Sequence, residues 1–83
     1  MDHIARTPKQ IGAILQRRRR TLKLTQNQLR SRVKLRQATV SKLEAGEPGT
    51  RLDTVFGLLG ALGLELVVRP RTSSSAQDIE DIF

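Results

Sequence analysis

Two short helix-forming segments set close together constrain this chain more than any other feature. In Leu24-Thr25-Gln26-Asn27-Gln28-Leu29, Thr25 can cap the free N–H groups of a following helix while Gln28 reaches back, a Thr-x-x-Gln capping box. A helix of about two turns is therefore expected from Gln26 to Val33. Lys34 and Leu35 break its register. Gln37 to Ala45 resumes a helical pattern, with Ala38, Val40 and Leu43 expected to face inward and Gly46 where a helix stops. Ahead of this pair, Thr7 to Leu22 reads as a longer helix. Thr7 serves as cap, Pro8 suits the first position, and Ile11, Ile14, Leu15 and Leu22 recur at helical spacing. Gly12 weakens that helix. After the loop Glu47-Pro48-Gly49-Thr50, a fourth helix from Arg51 to Leu62 is expected to present Leu52, Val55, Phe56, Leu59 and Leu62, with Gly63 closing it.

The next stretch, Leu64-Glu65-Leu66-Val67-Val68-Arg69-Pro70, is rich in β-branched residues and is stopped by Pro, which describes one strand. A lone strand cannot satisfy its own backbone. The sequence offers no second strand, so Leu64, Leu66, Val67 and Val68 are expected to pair with the same strand of another copy, making a homodimer. Beyond Arg71 the composition shifts to Thr-Ser-Ser-Ser and an acidic, apolar end. The expected division is thus a domain at 1–71 and a tail at 72–83 that is disordered when alone.

Length and composition bound the function. Eighty-three residues allow one small domain. With 15 Lys and Arg against 8 Asp and Glu, the net charge is +7, which calls for a polyanionic partner. Asp78, Glu80 and Asp81 fall in the tail, so what precedes it is more basic still. Aromatic residues make up only 2%, leaving Leu, Ile, Val and Ala to fill a core that favours helices. Cys is absent and His3 is the only histidine. No disulfide, thiolate nucleophile or thiolate metal site can therefore form, and neither a cofactor nor a metal is expected. The scattered carboxylates do not suggest an enzyme, and the glycines do not follow phosphate-loop spacing. No apolar run is long enough to cross a bilayer and the amino end is unlike a secretory signal, so a cytoplasmic, nucleoid-associated protein without membrane contact is expected.

Two short helices joined by a tight turn in a basic domain are the pattern of a DNA reader. Leu24-Thr25-Gln26-x-x-Leu29 followed by Gln37-Ala38-Thr39-Val40-Ser41-Lys42-Leu43-Glu44-Ala45-Gly46 resembles the Xre/Cro-type helix-turn-helix family of phage repressors and bacterial regulators. The continuation Leu58-Leu59-Gly60-Ala61-Leu62-Gly63-Leu64-Glu65-Leu66-Val67-Val68-Arg69-Pro70 is similar to HipB-like antitoxins. The resemblance implies a mostly α fold of four to five helices ending in one β-strand that pairs across a homodimer. It also implies an antitoxin that represses its own toxin–antitoxin operon at a palindromic operator and neutralises a HipA-like serine/threonine kinase toxin. Two other readings stay open: a phage-type or host repressor without a toxin, and a module that mainly binds protein, for which the alternating acids and apolar residues of 78–83 offer a docking motif or merely a solubilising end.

The residues that would read DNA lie on and around the third helix. Gln37 offers an amide donor and acceptor suited to adenine, and Ser41 and Lys42, one turn later, reach base edges or phosphate. Arg36 adds a flexible cation. Ala38 or Thr39 can lay a methyl against thymine, although Ala38 can equally pack inward. Gln26 opens the second helix, where free N–H groups favour a phosphate; the alternative is a plain surface residue. Arg17, Arg18, Arg19 and Arg20 spread around the first helix and cannot share one groove. In the repressors this chain resembles, the position of Arg19 pairs with that of Glu44, an ion pair expected here too. Arg18, like Arg17 and Arg20, is a candidate for phosphate or a member of a solvated basic face.

Overall fold

The computed structural model describes residues 2–71 and contains four helices: α1 (Pro8–Thr21), α2 (Gln26–Val33), α3 (Gln37–Glu44) and α4 (Leu52–Ala61). The chain is mostly helical, as its pattern predicts. Thr7 caps α1 by accepting from the Gln10 N–H, and at α2 the reciprocal Thr25–Gln28 capping box is complete. Between α2 and α3 the chain turns in three residues because Lys34 takes a left-handed conformation (φ 57°) and the Lys34 and Leu35 N–H groups both close onto the Arg30 carbonyl.

A small aliphatic core joins the helices. Leu15 of α1, Leu29 of α2, Val40 and Leu43 of α3, Leu58 and Leu59 of α4, and Leu62 just after it are buried together. α3 packs on α1 and α2, and α4 packs on α2. Three inward assignments need correction. Ala38 is exposed, and on α4 Leu52 and Phe56 face solvent at 66% and 49% exposure. The apolar stripe of α4 is wider than α2 can cover, and the helix settles with Leu58, Leu59 and Leu62 inward.

Gly12 fixes how closely α1 and α3 approach. A Cβ there would strike the Leu43 carbonyl oxygen and stand 2.8 Å from that of Glu44. Backbone meets backbone, so the glycine that detracts from α1 as an isolated helix is required by its packing.

Residues 64–70 take no regular secondary structure among the described residues. Leu64 packs against the core, whereas Leu66, Val67 and Val68 are exposed, Val68 at 89%. The expected strand is thus not formed here, and no other strand is formed among the described residues. This segment and residues 2–6 flank a groove of about 650 Å³ floored by Ile11, Ile14 and Leu59. The tail expected at 72–83 lies outside the described residues.

Two glycine substitutions should move stability in opposite directions. Gly12→Ala should lower it by about 1–3 kcal/mol through overpacking, whereas Gly57→Ala, where nothing lies within 4 Å of the new methyl, should raise it by roughly 0.5–1 kcal/mol. Thermal unfolding checks both, and a rise for Gly12→Ala would contradict the close contact.

Candidate nucleic-acid interface

The helix-turn-helix pair presents one face of α3 to solvent. Gln37, Ala38, Ser41 and Lys42 are exposed, while Val40, Leu43 and Glu44 are buried and Thr39 is half-buried. Positions three and four residues apart are neighbours on a helix surface, so Gln37 beside Ser41, and Ala38 beside Ser41 and Lys42, form a continuous polar and basic surface with one small methyl. Arg36 stands exposed as the N-cap of α3 without closing it by a side-chain hydrogen bond. The leading N–H groups of α3 are left without intrahelical partners.

Behind this face lies a buried polar cluster. Arg19 Nε donates to Glu44 Oε2 at 2.7 Å and Arg19 Nη2 to Glu44 Oε1 at 2.9 Å, a two-pronged pair with the side chains only 9% and 3% exposed. The remaining fork of the guanidinium, Nη1, donates to the Leu24 carbonyl at 2.7 Å. Gln26 Nε2 completes the cluster by donating to Glu44 Oε1 at 3.1 Å. No buried side-chain nitrogen or oxygen among the described residues lacks a partner. The hydrogen bonds that Arg19 donates to Glu44 hold its guanidinium above the ordinary pKa against the opposing effect of burial. A raised pKa means that the pair's contribution is complete below the unfolded value and is lost only as pH rises through the folded one. On the arginine side that loss lies in strong alkali.

The other arginines of α1 separate as helical geometry requires. Arg17 and Arg20 are exposed. Arg18, half-buried, has a structural role that the phosphate expectation did not include: its Nε donates to the Leu62 carbonyl at 2.8 Å, and its guanidinium lies beside Gly63. It closes the C-terminal end of α4, where free carbonyls and the negative end of the helix dipole attract a cation. Residue spacing within α1 cannot reveal this, since Leu62 is 44 positions away. The Gln26–Glu44 bond was equally hidden, because the two side chains come together only when α2 and α3 pack.

Among the described residues no group of three or more His, Cys, Asp or Glu could hold a metal, and no helix is long and apolar enough to cross a membrane.

Comparison with known proteins places this geometry. The helix-turn-helix family HTH_3 matches residues 15–68. The chain is similar to a solved HipB–O2 20mer complex, with 25% identity, a TM-score of 0.80, and coverage of 87% of this chain and all of that one. It is similar at 25% identity and TM-score 0.79 to a HipB–O4 20mer complex, and equally so to a HipA–HipB–O2–O3 complex; each covers 86% of this chain and all of the other. No curated protein sequence matches.

The buried cluster and the Arg18 cap differ in how they respond to substitution. Arg19→Met should cost about 3–5 kcal/mol, because it leaves the Glu44 carboxylate buried without its counter-ion, and Arg19→Met with Glu44→Leu should recover most of that. Arg18→Ala should cost about 1 kcal/mol and leave the salt dependence of any DNA binding unchanged. Denaturant unfolding measures the first set; a steeper or shallower salt slope for Arg18→Ala would return it to the phosphate contacts.

Proposed function

This chain belongs to the helix-turn-helix family, as a HipB-like member of the Xre type, and from that premise we propose that it is a sequence-specific DNA-binding antitoxin that represses its own operon. The observation that carries this reading is the solvent face of α3, where Gln37, Ala38, Ser41 and Lys42 lie together on a helix whose opposite side is locked into the core. In the major groove Gln37 reads adenine through its amide, Ser41 and Lys42 reach a base edge or phosphate, and the methyl of Ala38 meets thymine. Thr39, half-buried, contributes at the edge of that contact. Arg36 and the first turn of α3 approach the backbone, as does Gln26 at the head of α2. Phosphate contacts set the register and the α3 side chains set the sequence.

Dimerisation follows from the segment 64–68, which is anchored at Leu64 and exposed from 65 to 68. Its unpaired backbone and the apolar Leu66, Val67 and Val68 are satisfied together when the same segment of a second copy lies alongside. Two α3 helices related by a twofold axis then enter successive major grooves about 34–36 Å apart, and the operator is a palindrome with half-sites roughly one turn apart. The partner to be neutralised is a HipA-like serine/threonine kinase, a reading supported by the likeness to HipB in a HipA–HipB–O2–O3 complex. A kinase reading frame adjoining the gene separates this from a repressor without a toxin. Its place of work is then the nucleoid.

A titration of the DNA upstream of the gene against a scrambled duplex, at several salt concentrations, tests the reading. A preference of about 10³-fold or more at physiological salt is expected of an operator-binding protein, whereas equal and steeply salt-dependent binding to both duplexes would refute it. Within the specific complex, Gln37→Ala should cost about 1–3 kcal/mol and relax the preference at one base pair, while Lys42→Ala, if its contact is to phosphate, should weaken all sequences alike and reduce the salt slope by about 1.

A further inference from the structure

The bond between Gln26 and Glu44 has a chemical polarity that the ion pair does not need. Glu44 Oε1 already accepts from Arg19 Nη2 at 2.9 Å, and it accepts a second time from Gln26 Nε2 at 3.1 Å. An ionised carboxylate only accepts, so it admits the amide nitrogen of Gln26 and excludes its carbonyl oxygen. That choice settles which way the Gln26 amide faces. One of its two N–H groups is held by Glu44, leaving the other N–H and the carbonyl oxygen for a ligand.

Gln26 is the first residue of α2, and the Thr25–Gln28 capping box next to it consumes the Gln28 N–H and the Thr25 N–H. The Gln26 and Asn27 N–H groups have no partner within the helix. A phosphate oxygen arriving there meets backbone donors that the helix has fixed and one side-chain donor that only Glu44 fixes. Without Glu44 the Gln26 side chain is half-buried beside Arg19 and free to rotate or to turn its carbonyl oxygen outward, towards an anion it would repel.

We propose that Glu44 is a positioning residue for nucleic-acid contact: through Oε1 it orients the Gln26 amide so that its second N–H faces a DNA phosphate at the head of α2. This rests on the DNA-binding reading above. It gives the buried carboxylate two separable duties, holding α1 to α3 through Arg19 and holding a DNA-facing side chain in place through Gln26.

A double-mutant cycle in the full chain tests it, with dissociation constants for the upstream duplex measured by fluorescence anisotropy for the unaltered protein, Gln26→Ala, Glu44→Gln and the double variant. Circular dichroism fixes a temperature at which all four are folded. Gln26→Ala should weaken binding about fivefold in the unaltered background and less than about twofold in the Glu44→Gln background, a coupling of the size that contacting residues show. The same fivefold loss in both backgrounds, or no loss in either, would overturn the proposal, since a purely structural Glu44 would leave the effect of Gln26 unchanged. In case Glu44→Gln does not fold, Glu44→Asp runs the same cycle, because it keeps the charge for Arg19 while withdrawing the oxygen from Gln26. An unaltered protein that does not distinguish the upstream duplex from the scrambled one would defeat the DNA-binding reading itself, a result visible before any variant is compared.

Discussion

The Arg19–Glu44 pair holds the two halves of the fold in one arrangement. Three short helices offer few aliphatic side chains to one another, and hydrophobic contact alone is non-directional. A planar guanidinium gripping a carboxylate with two bonds, and a backbone carbonyl with a third, is directional in the extreme. It ties the end of α1 to the end of α3 and to the residue that leads into the capping box of α2. Burying these charges is itself costly, and aliphatic replacements could be as stable. What the pair supplies is a single orientation of α3 relative to its neighbours, which a helix that reads a groove requires.

Local signals made the helices legible. Caps at Thr7 and Thr25 act within four residues, and the structure places α1, α2, α3 and α4 within a residue of the expected limits. The inward positions of α4 were not legible in the same way. Leu52, Val55, Phe56, Leu58, Leu59 and Leu62 together wrap well beyond one face, and which of them is covered depends on where α2 lies. The candidate interface divides along the same line. That Gln37, Ser41 and Lys42 face outward follows from periodicity, whereas the occupations of Arg18 and Gln26 depend on contacts 44 and 18 residues distant. Nor did the residues by themselves assign Arg19 to Glu44; that expectation came from resemblance to a family.

The segment after α4 shows how far a single chain can carry a β-forming sequence. Gly63 turns the chain with a positive φ of 69°, the Leu64 N–H closes onto the Leu59 carbonyl, and Leu64 drops into the core. Residues 65–71 are all exposed. Strand propensity describes how well side chains suit a pleated, half-covered surface, and a chain with no neighbouring strand has no such surface to offer. Arg18, bonded to the Leu62 carbonyl, anchors the point from which this segment departs. The direction of departure is therefore set by α1, the same helix that grips α3 through the next residue, Arg19.

The close passage of α1 over α3 at Gly12 has a bearing on how such a reader could change its target. Because main chain touches main chain there, the separation of the two helices is not a function of side-chain volume. It acts as a mechanical stop. Exchanges among the outward residues of α3 alter neither that stop nor the aliphatic layer beneath it, so the text the helix reads and the frame that holds it can vary independently. A protein built this way can acquire a new sequence preference through a handful of surface substitutions without first relearning how to fold.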